Sequence, residues 1–261
     1  MERRKVSFPT QDIRVRVVTF SMHRNQFALA EVLSSVEKAD DLIVFGIQQA
    51  EPENIKQYKN KIDPFMDGYE CVYSSTYLGL AMFIYARKTS PVTGLTFFAQ
   101  TLNFTKGIGK LLSQDPKGAI LVRMDSSNIK NPFFFVVADL PPRTIIQQNI
   151  RELQEINTFI TNHNRNSAYC LFGNMQVQGE MKGAQRLSGF DGSKESLSLD
   201  ENLKYKEIED TYKVNIGDRA PSAGDIHRFT DRILFHMGDR DDSVHHREYE
   251  VVKIIAIPRT G

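Results

Sequence analysis

Three groups of residues carry side chains that could do chemistry, and none of them completes a known motif. The segment 105–110 (TKGIGK) looks like part of a phosphate-binding loop, but it lacks the GxxxxGK[ST] pattern, which favours a plain turn. His245 and His246 are adjacent, and neighbouring residues do not share a face, which argues against a two-histidine metal site. Cys71 and Cys170 have no CxxC or Cys/His spacing, so we expect two reduced, apolar thiols.

Acidic, amide and basic residues also stand at the ends of several predicted strands. The most informative segment is 230–235 (TDRILF), which follows a loop and brings Asp231 and Arg232 together beside apolar residues. Asp139 follows the apolar run 133–138 in a similar way. Further residues of this kind, in chain order, are Lys117, Asn174, Gln176, Tyr212 and Lys213. These residues are the candidates for a functional site.

Short apolar segments bounded by turn residues predict a chain rich in strands. The continuous run 42–47 (LIVFGI) is typical of a strand covered on both faces. The other predicted strands are 14–20, 78–87, 95–102, 119–124, 132–138, 168–172, 230–235 and 248–257. Apolar residues at three- and four-residue spacing predict a helix over 144–160, and further helices are predicted at 26–38 and 53–61.

Many strands with a few long helices predict an α/β or α+β sandwich. Segment 181–203, rich in Gly, Ser, Asp and Lys, is expected to be a loop. No linker divides the sequence, so we expect a single domain over residues 1–261.

The charge balance limits the function classes. The sequence has 33 Lys+Arg against 32 Asp+Glu, a formal net charge of +1, whereas proteins that bind nucleic acid through phosphates usually show a basic surplus. The 41% hydrophobic content argues against a disordered chain. The longest apolar run, 133–138, is far shorter than the roughly 20 residues of a membrane span. No signal peptide is visible, so we expect a cytoplasmic protein without a transmembrane segment, and one that can lie at membrane surfaces.

In the order and spacing of these motifs the sequence resembles the inositol polyphosphate 5-phosphatases of the endonuclease/exonuclease/phosphatase superfamily. The resemblance extends over nearly the whole chain and is strongest at 77–160 and 212–235. It implies a four-layer α/β/β/α sandwich that uses Mg²⁺ and an activated water to remove a phosphate from an inositol ring. In such a site carboxylates and amides hold the Mg²⁺, which neutralises the phosphate and the charge that develops on it.

The positions that match the family's catalytic residues carry other residue types here. Ser21 stands at the end of the first strand, where the family has an asparagine motif. Gln49 replaces the metal-binding glutamate, and Asp139 replaces the histidine of S-H-L. The family's G-D-L-N reads G-N-M-Q, with Asn174 for aspartate and Gln176 for asparagine. Neutral amides are poor replacements for carboxylates around a hard cation, so the resemblance predicts lost catalysis and no bound cofactor.

The D-R-I-L motif is intact at 231–234, but the family's closing S-D-H is not found. Without that histidine, Asp231 and Arg232 are expected to be structural. A shifted alignment places His246 in the histidine role, at the cost of a very short preceding strand.

The residues that would meet phosphate are better matched. Lys117 corresponds to the lysine of the family's N-K-G-G turn, and Tyr212 and Lys213 correspond to its T-Y-K. The resemblance therefore predicts a pseudophosphatase that binds a phosphoinositide or inositol phosphate head group, or a protein partner, and no nucleic acid.

Two alternatives remain open at the level of sequence. One is an active phosphatase with a rearranged site, in which Asp139 and Asp231 form a metal pair and His246 contributes. The other is a nuclease of the same superfamily, which the near-neutral charge disfavours.

Overall fold

The computed structural model describes residues 13–21, 30, 33–34, 36, 38–50, 55–105, 117–127, 129, 131–141, 150–163, 167–178 and 228–236. For 150, 175–178 and 228–236 the description is of the backbone. The predicted strand 248–257 and the predicted loop 181–203 lie outside these residues, as do Tyr212, Lys213 and His246.

Two β-sheets make up most of the described chain. Sheet A has the order β1-β2-β4-β3, and its strands are β1 (Val15–Ser21), β2 (Leu42–Gln48), β3 (Tyr69–Tyr77) and β4 (Leu80–Arg87). Sheet B has the order β5-β6-β7-β8-β9, and its strands are β5 (Thr96–Asn103), β6 (Gly118–Asp125), β7 (Phe133–Asp139), β8 (Ala168–Gln178) and β9 (Arg228–His236).

Each sheet contains one parallel pair among antiparallel neighbours. β1 runs parallel to β2, and β7 runs parallel to β8. A parallel pair needs a crossover connection, which α2 (Ile150–His163) provides between β7 and β8. The other described helix, α1 (Ile55–Ile62), is followed by a short 3₁₀ turn at Asp63–Phe65.

Three apolar layers hold the molecule together. The inter-sheet layer is formed by inward side chains of both sheets, including Val44, Met82, Val137, Cys170 and Phe172. A second layer lies on the outer face of sheet A, where α1 contributes Tyr58 and Ile62. A third lies on the outer face of sheet B, where α2 contributes Leu153, Ile156 and Ile160. Helix, sheet, sheet and helix thus stack in the order predicted from the sequence, and the α/β sandwich is confirmed.

Most described elements begin or end within a few residues of their predicted bounds, and two strands depart further. β3 (Tyr69–Tyr77) was not predicted, because its sequence YECVYSSTY lacks a clear alternation and its pairing with β4 shifts register between Cys71 and Tyr73. β8 continues to Gln178, six residues beyond the predicted end at Phe172.

The predicted helix 26–38 falls largely outside the described residues, although Ala30, Leu33 and Ser34 are helical. In the described part of the chain, no helix has the length and apolar character needed to cross a membrane.

Candidate functional site

One row of residues crosses all five strands of sheet B at the end of the sandwich where β7 terminates. Register pairs Asp139 with both Gly118 and Asn174, pairs Gly118 with Asn103, and pairs Asn174 with Asp231. Residues paired in register share a face of the sheet. Asp139 stands two positions after Val137, which faces sheet A, and side chains two positions apart in a strand share a face. The whole row therefore lies on the face toward sheet A. The row, read across the sheet, is Asn103, Gly118, Asp139, Asn174 and Asp231.

Sheet A ends in polar side chains as well. Gln48 is fully buried, and its amide nitrogen donates to the Thr19 hydroxyl at 2.9 Å and to the Gly46 carbonyl at 3.0 Å. The Ser21 hydroxyl donates to the side-chain oxygen of Gln49 at 3.1 Å. Gln49 leaves the strand with a φ of 53°, in the left-handed region that few residues other than glycine adopt. The two matched family positions Ser21 and Gln49 are therefore bonded to each other.

Two close approaches place these polar ends together. A Cβ built on Gly118 would lie 3.2 Å from a Leu78 methyl carbon, at the turn between β3 and β4. The adjacent Gly79 carbonyl accepts a hydrogen bond from the Ala50 amide at 2.8 Å, directly after Gln49. The end of sheet A that carries Gln49 thus meets the end of sheet B that carries Gly118 and its register partner Asp139.

Two glycines let the strands approach closely near this end. A Cβ on Gly46 would lie 2.2 Å from the Phe172 ring and 2.9 Å from Val137. Gly173 has a φ of 123°, and a Cβ there would lie 2.2 Å from the Ala138 carbonyl oxygen. A larger residue at either position would force its neighbours to move, because such contacts are far below van der Waals distance.

A buried ion pair occupies the centre of the row. The Lys117 ammonium donates to the Asp139 carboxylate at 2.7 Å, and the two side chains are only 8% and 5% exposed. Lys117 immediately precedes Gly118, the register partner of Asp139, so the antiparallel pairing of β6 with β7 brings the two side chains within reach of each other. The position that matches the family's histidine thus holds the partner of the lysine that was predicted to meet phosphate.

The described side chains do not fit a Mg²⁺ ion. Mg²⁺ is normally bound through carboxylates, whereas Gln49 and Asn174 offer neutral amides and Asp139 already binds the Lys117 ammonium. Within the described ranges no group of three or more His, Cys, Asp or Glu side chains could hold a metal ion.

The structure brings most of the predicted site residues to one end of the sandwich. Asp139 and Asn174 are buried neighbours in register, and the backbone of Asp231 continues the row. Gln176 falls where the pairing of β8 with β9 shifts register, between Asn174 and Val177. The assignment of roles to these residues stays a prediction.

Two residues of this end were not predicted. Gln48 precedes Gln49, the residue that was matched to the family, and it was not itself predicted as a site residue. The alternation of the strand does predict its orientation, because Gln48 shares a strand face with Val44, which points toward sheet B. Asn103 closes β5, where its side-chain oxygen accepts hydrogen bonds from the Thr105 amide and hydroxyl at 2.9 and 2.6 Å. Its membership of the row depends on sheet register, which the sequence alone does not give.

Solved structures of two other proteins have a similar fold. The chain aligns with the inositol polyphosphate 5-phosphatase domain of SPsynaptojanin, solved with inositol (1,4)-bisphosphate and a calcium ion. The TM-score is 0.60 at 15% identity, over 87% of this chain and 76% of that one. It also aligns with D. rerio TDP2 complexed with a single-strand DNA product, with a TM-score of 0.54 at 13% identity, over 87% of this chain and 86% of that one.

The chain has the endonuclease/exonuclease/phosphatase fold. At this level of identity the likeness concerns the fold, and the narrower 5-phosphatase assignment stays a prediction. No protein-family model and no curated protein matches the chain by sequence.

Proposed function

We propose that this chain is a 5-phosphatase-like domain that has lost catalysis and binds the phosphates of an inositol phosphate or phosphoinositide head group. The observation that carries the proposal is the Lys117–Asp139 ion pair, in which the position matched to the family's histidine holds a carboxylate that is already bound to an ammonium. The amides of Gln49 and Asn174 add no negative charge to that end. The neighbour solved with inositol (1,4)-bisphosphate supports this class of ligand.

The proposed binding chemistry uses cations without a metal. An ammonium has three N–H donors, so the bond from Lys117 to Asp139 leaves two that can reach a phosphate oxygen. Because Asp139 offsets the charge of Lys117, we assign the main attraction to Lys213, assisted by Tyr212, through the resemblance to the family's T-Y-K. The alternative within this proposal is that the same surface binds a protein partner.

Catalysis is tested by phosphate release from soluble inositol polyphosphates and from phosphoinositide vesicles, with the full chain in Mg²⁺ buffer. We expect no release above the protein-free blank. Release above the blank that is lost in Asp231→Ala and needs Mg²⁺ would overturn the proposal in favour of an active phosphatase with a rearranged site.

Binding is tested separately by calorimetry with a soluble inositol polyphosphate. Lys213→Ala should weaken binding by roughly 10- to 100-fold, since a charge-assisted hydrogen bond contributes roughly 1.5–3 kcal/mol. Lys88→Ala is the matched control: Lys88 is exposed and follows β4 at the opposite end of sheet A, so its loss should leave the affinity unchanged. Equal loss in both variants would mean nonspecific attraction and would contradict the proposal.

A further inference from the structure

β5 forms an edge of sheet B with an unusually exposed sequence. The strand pairs with β6 along one side, and no described residue pairs with its other side. Thr96, Phe98, Ala99 and Gln100 are exposed, and the Phe98 side chain is 63% exposed. Within the part of the chain that the structure describes, the backbone hydrogen-bonding groups on that side are therefore open to an incoming strand.

The edge strands of the two described sheets differ in charge. Edge strands usually carry charged residues or bulges that prevent them from pairing with another molecule. β1 has Arg16, β3 has Glu70 and a register shift, and β9 includes Asp231. The sequence of β5, TFFAQTLN, has no charged residue, no proline and no bulge in its pairing with β6. β5 therefore lacks the features that protect the other edge strands of the described sheets.

We propose that β5 is a homodimer interface, in which the β5 strands of two copies pair antiparallel and extend sheet B through both molecules. A two-fold axis perpendicular to the sheet keeps each face of the sheet continuous. Directly opposed residues must then share a face, so they differ by an even number of positions. The exposed stretch 96–100 is centred on Phe98, so the axis passes at Phe98 and places Thr96 opposite Gln100 of the second copy.

The charges around this axis fit a second copy. The Arg123 guanidinium lies 5.8 Å from the centre of the Phe98 ring. Arg123 already binds the Asp125 carboxylate at 2.8 Å on the same molecule. Two copies thus meet through uncharged residues and neutralised pairs, without like charges opposite each other.

The size of this contact sets the expected strength. Stable interfaces bury at least about 1,200 Å², and one short strand edge with its flanking side chains buries less. We therefore expect a weak dimer that forms in the upper micromolar range and exchanges rapidly.

Sedimentation velocity of the full chain over increasing concentration tests the proposal. The weight-average sedimentation coefficient should rise toward that of a dimer as the concentration approaches about 1 mM. Phe98→Lys puts two like charges on the axis and should weaken dimerisation at least about tenfold. Val15→Lys is the matched control, because Val15 is the other large exposed apolar residue of the described chain, 38% exposed on β1. A monomer at every concentration, or a dimer weakened equally by both variants, would overturn the proposal.

Disulfide trapping tests the register independently of stability. In a Cys71→Ser background, F98C should cross-link on mild oxidation, because opposed Cα atoms lie about 4.5–5.5 Å apart, within disulfide range. A99C should not cross-link, since its two copies are offset along the strands to roughly 8 Å. Efficient cross-linking of A99C without F98C would contradict the proposed axis.

Discussion

Asp139 stands where the resemblance leads one to expect a histidine, and the side chain at this position binds Lys117. A histidine there would orient a phosphate, whereas a carboxylate fixes a neighbouring ammonium inside the protein. Such a buried pair is costly to break, because the remaining charge keeps its desolvation penalty. We therefore expect loss of the pair to affect the stability of this end of the protein more than it affects ligand binding.

Asp139→Asn should lower the free energy of unfolding by about 3 kcal/mol, because it leaves the Lys117 ammonium buried beside a neutral amide. Urea denaturation of the variant and the parent measures this loss. The double variant Lys117→Met/Asp139→Leu removes both charges and should recover most of the stability. A loss below about 0.5 kcal/mol in Asp139→Asn would mean that the pair is solvated in solution.

The sequence predicted the members of this pair but not the pair itself. Lys117 and Asp139 were each matched to a family motif, one as a phosphate contact and the other as a substitution. Their separation of 22 positions carries no local pattern, and the two are brought together only by the register of β6 on β7, which pairs Asp139 with Gly118, the neighbour of Lys117. The burial of Gln48, in contrast, could have been predicted from the local sequence, because strand alternation alone places this side chain between the sheets.

At the scale of elements, the core strands and the edge strands β1, β5 and β9 were predicted, whereas the edge strand β3 was not. Runs such as β2 and β7 are apolar on both faces because each is covered by a helix layer and by the other sheet. β3 lies at an edge of sheet A, where half-buried residues give a weak pattern and a bulge breaks the period. A glycine within a strand such as Gly46 in β2 usually indicates lower strand stability, yet here the missing side chain leaves the space that the Phe172 ring occupies.

Gly46→Ala should destabilise the protein by about 1–3 kcal/mol, because the added methyl overlaps the Phe172 ring at the inter-sheet contact. Adding Phe172→Leu shortens the opposing side chain and should relieve part of this loss. A double-mutant cycle by chemical denaturation measures the coupling. Strictly additive effects of the two changes would contradict the contact.

At the scale of the whole molecule, the two cysteines lie in different layers of the sandwich, so their reactivity measures the opening of different layers. Cys170 is fully buried between the sheets, and burial raises the pKa of its thiol well above the ordinary value. Cys71 is half-buried on β3, and burial also raises its pKa, although less completely. The expectation of two free thiols holds in the structure.

Labelling with a thiol reagent at pH 8 should therefore be slow for both cysteines, because raised pKa values keep the reactive thiolate scarce. Cys71 should react first, and Cys170 should react only as fast as the chain unfolds globally. Cys71→Ser should remove the faster phase and leave the slower one. A slow phase that is insensitive to low denaturant would show that Cys170 is reached by local opening instead.

The strand order of sheet B also has a consequence for how the chain folds. The β5, β6 and β7 strands follow each other closely, while β9 begins at Arg228, fifty positions after β8 ends at Gln178. Closing so long a segment costs more entropy than closing a hairpin, so β9 should join the sheet after the other strands have paired. The position of Asp231 in the polar row would then be filled last, on a core that is already assembled. Destabilising changes in β9 should therefore speed unfolding and leave the refolding rate almost unchanged.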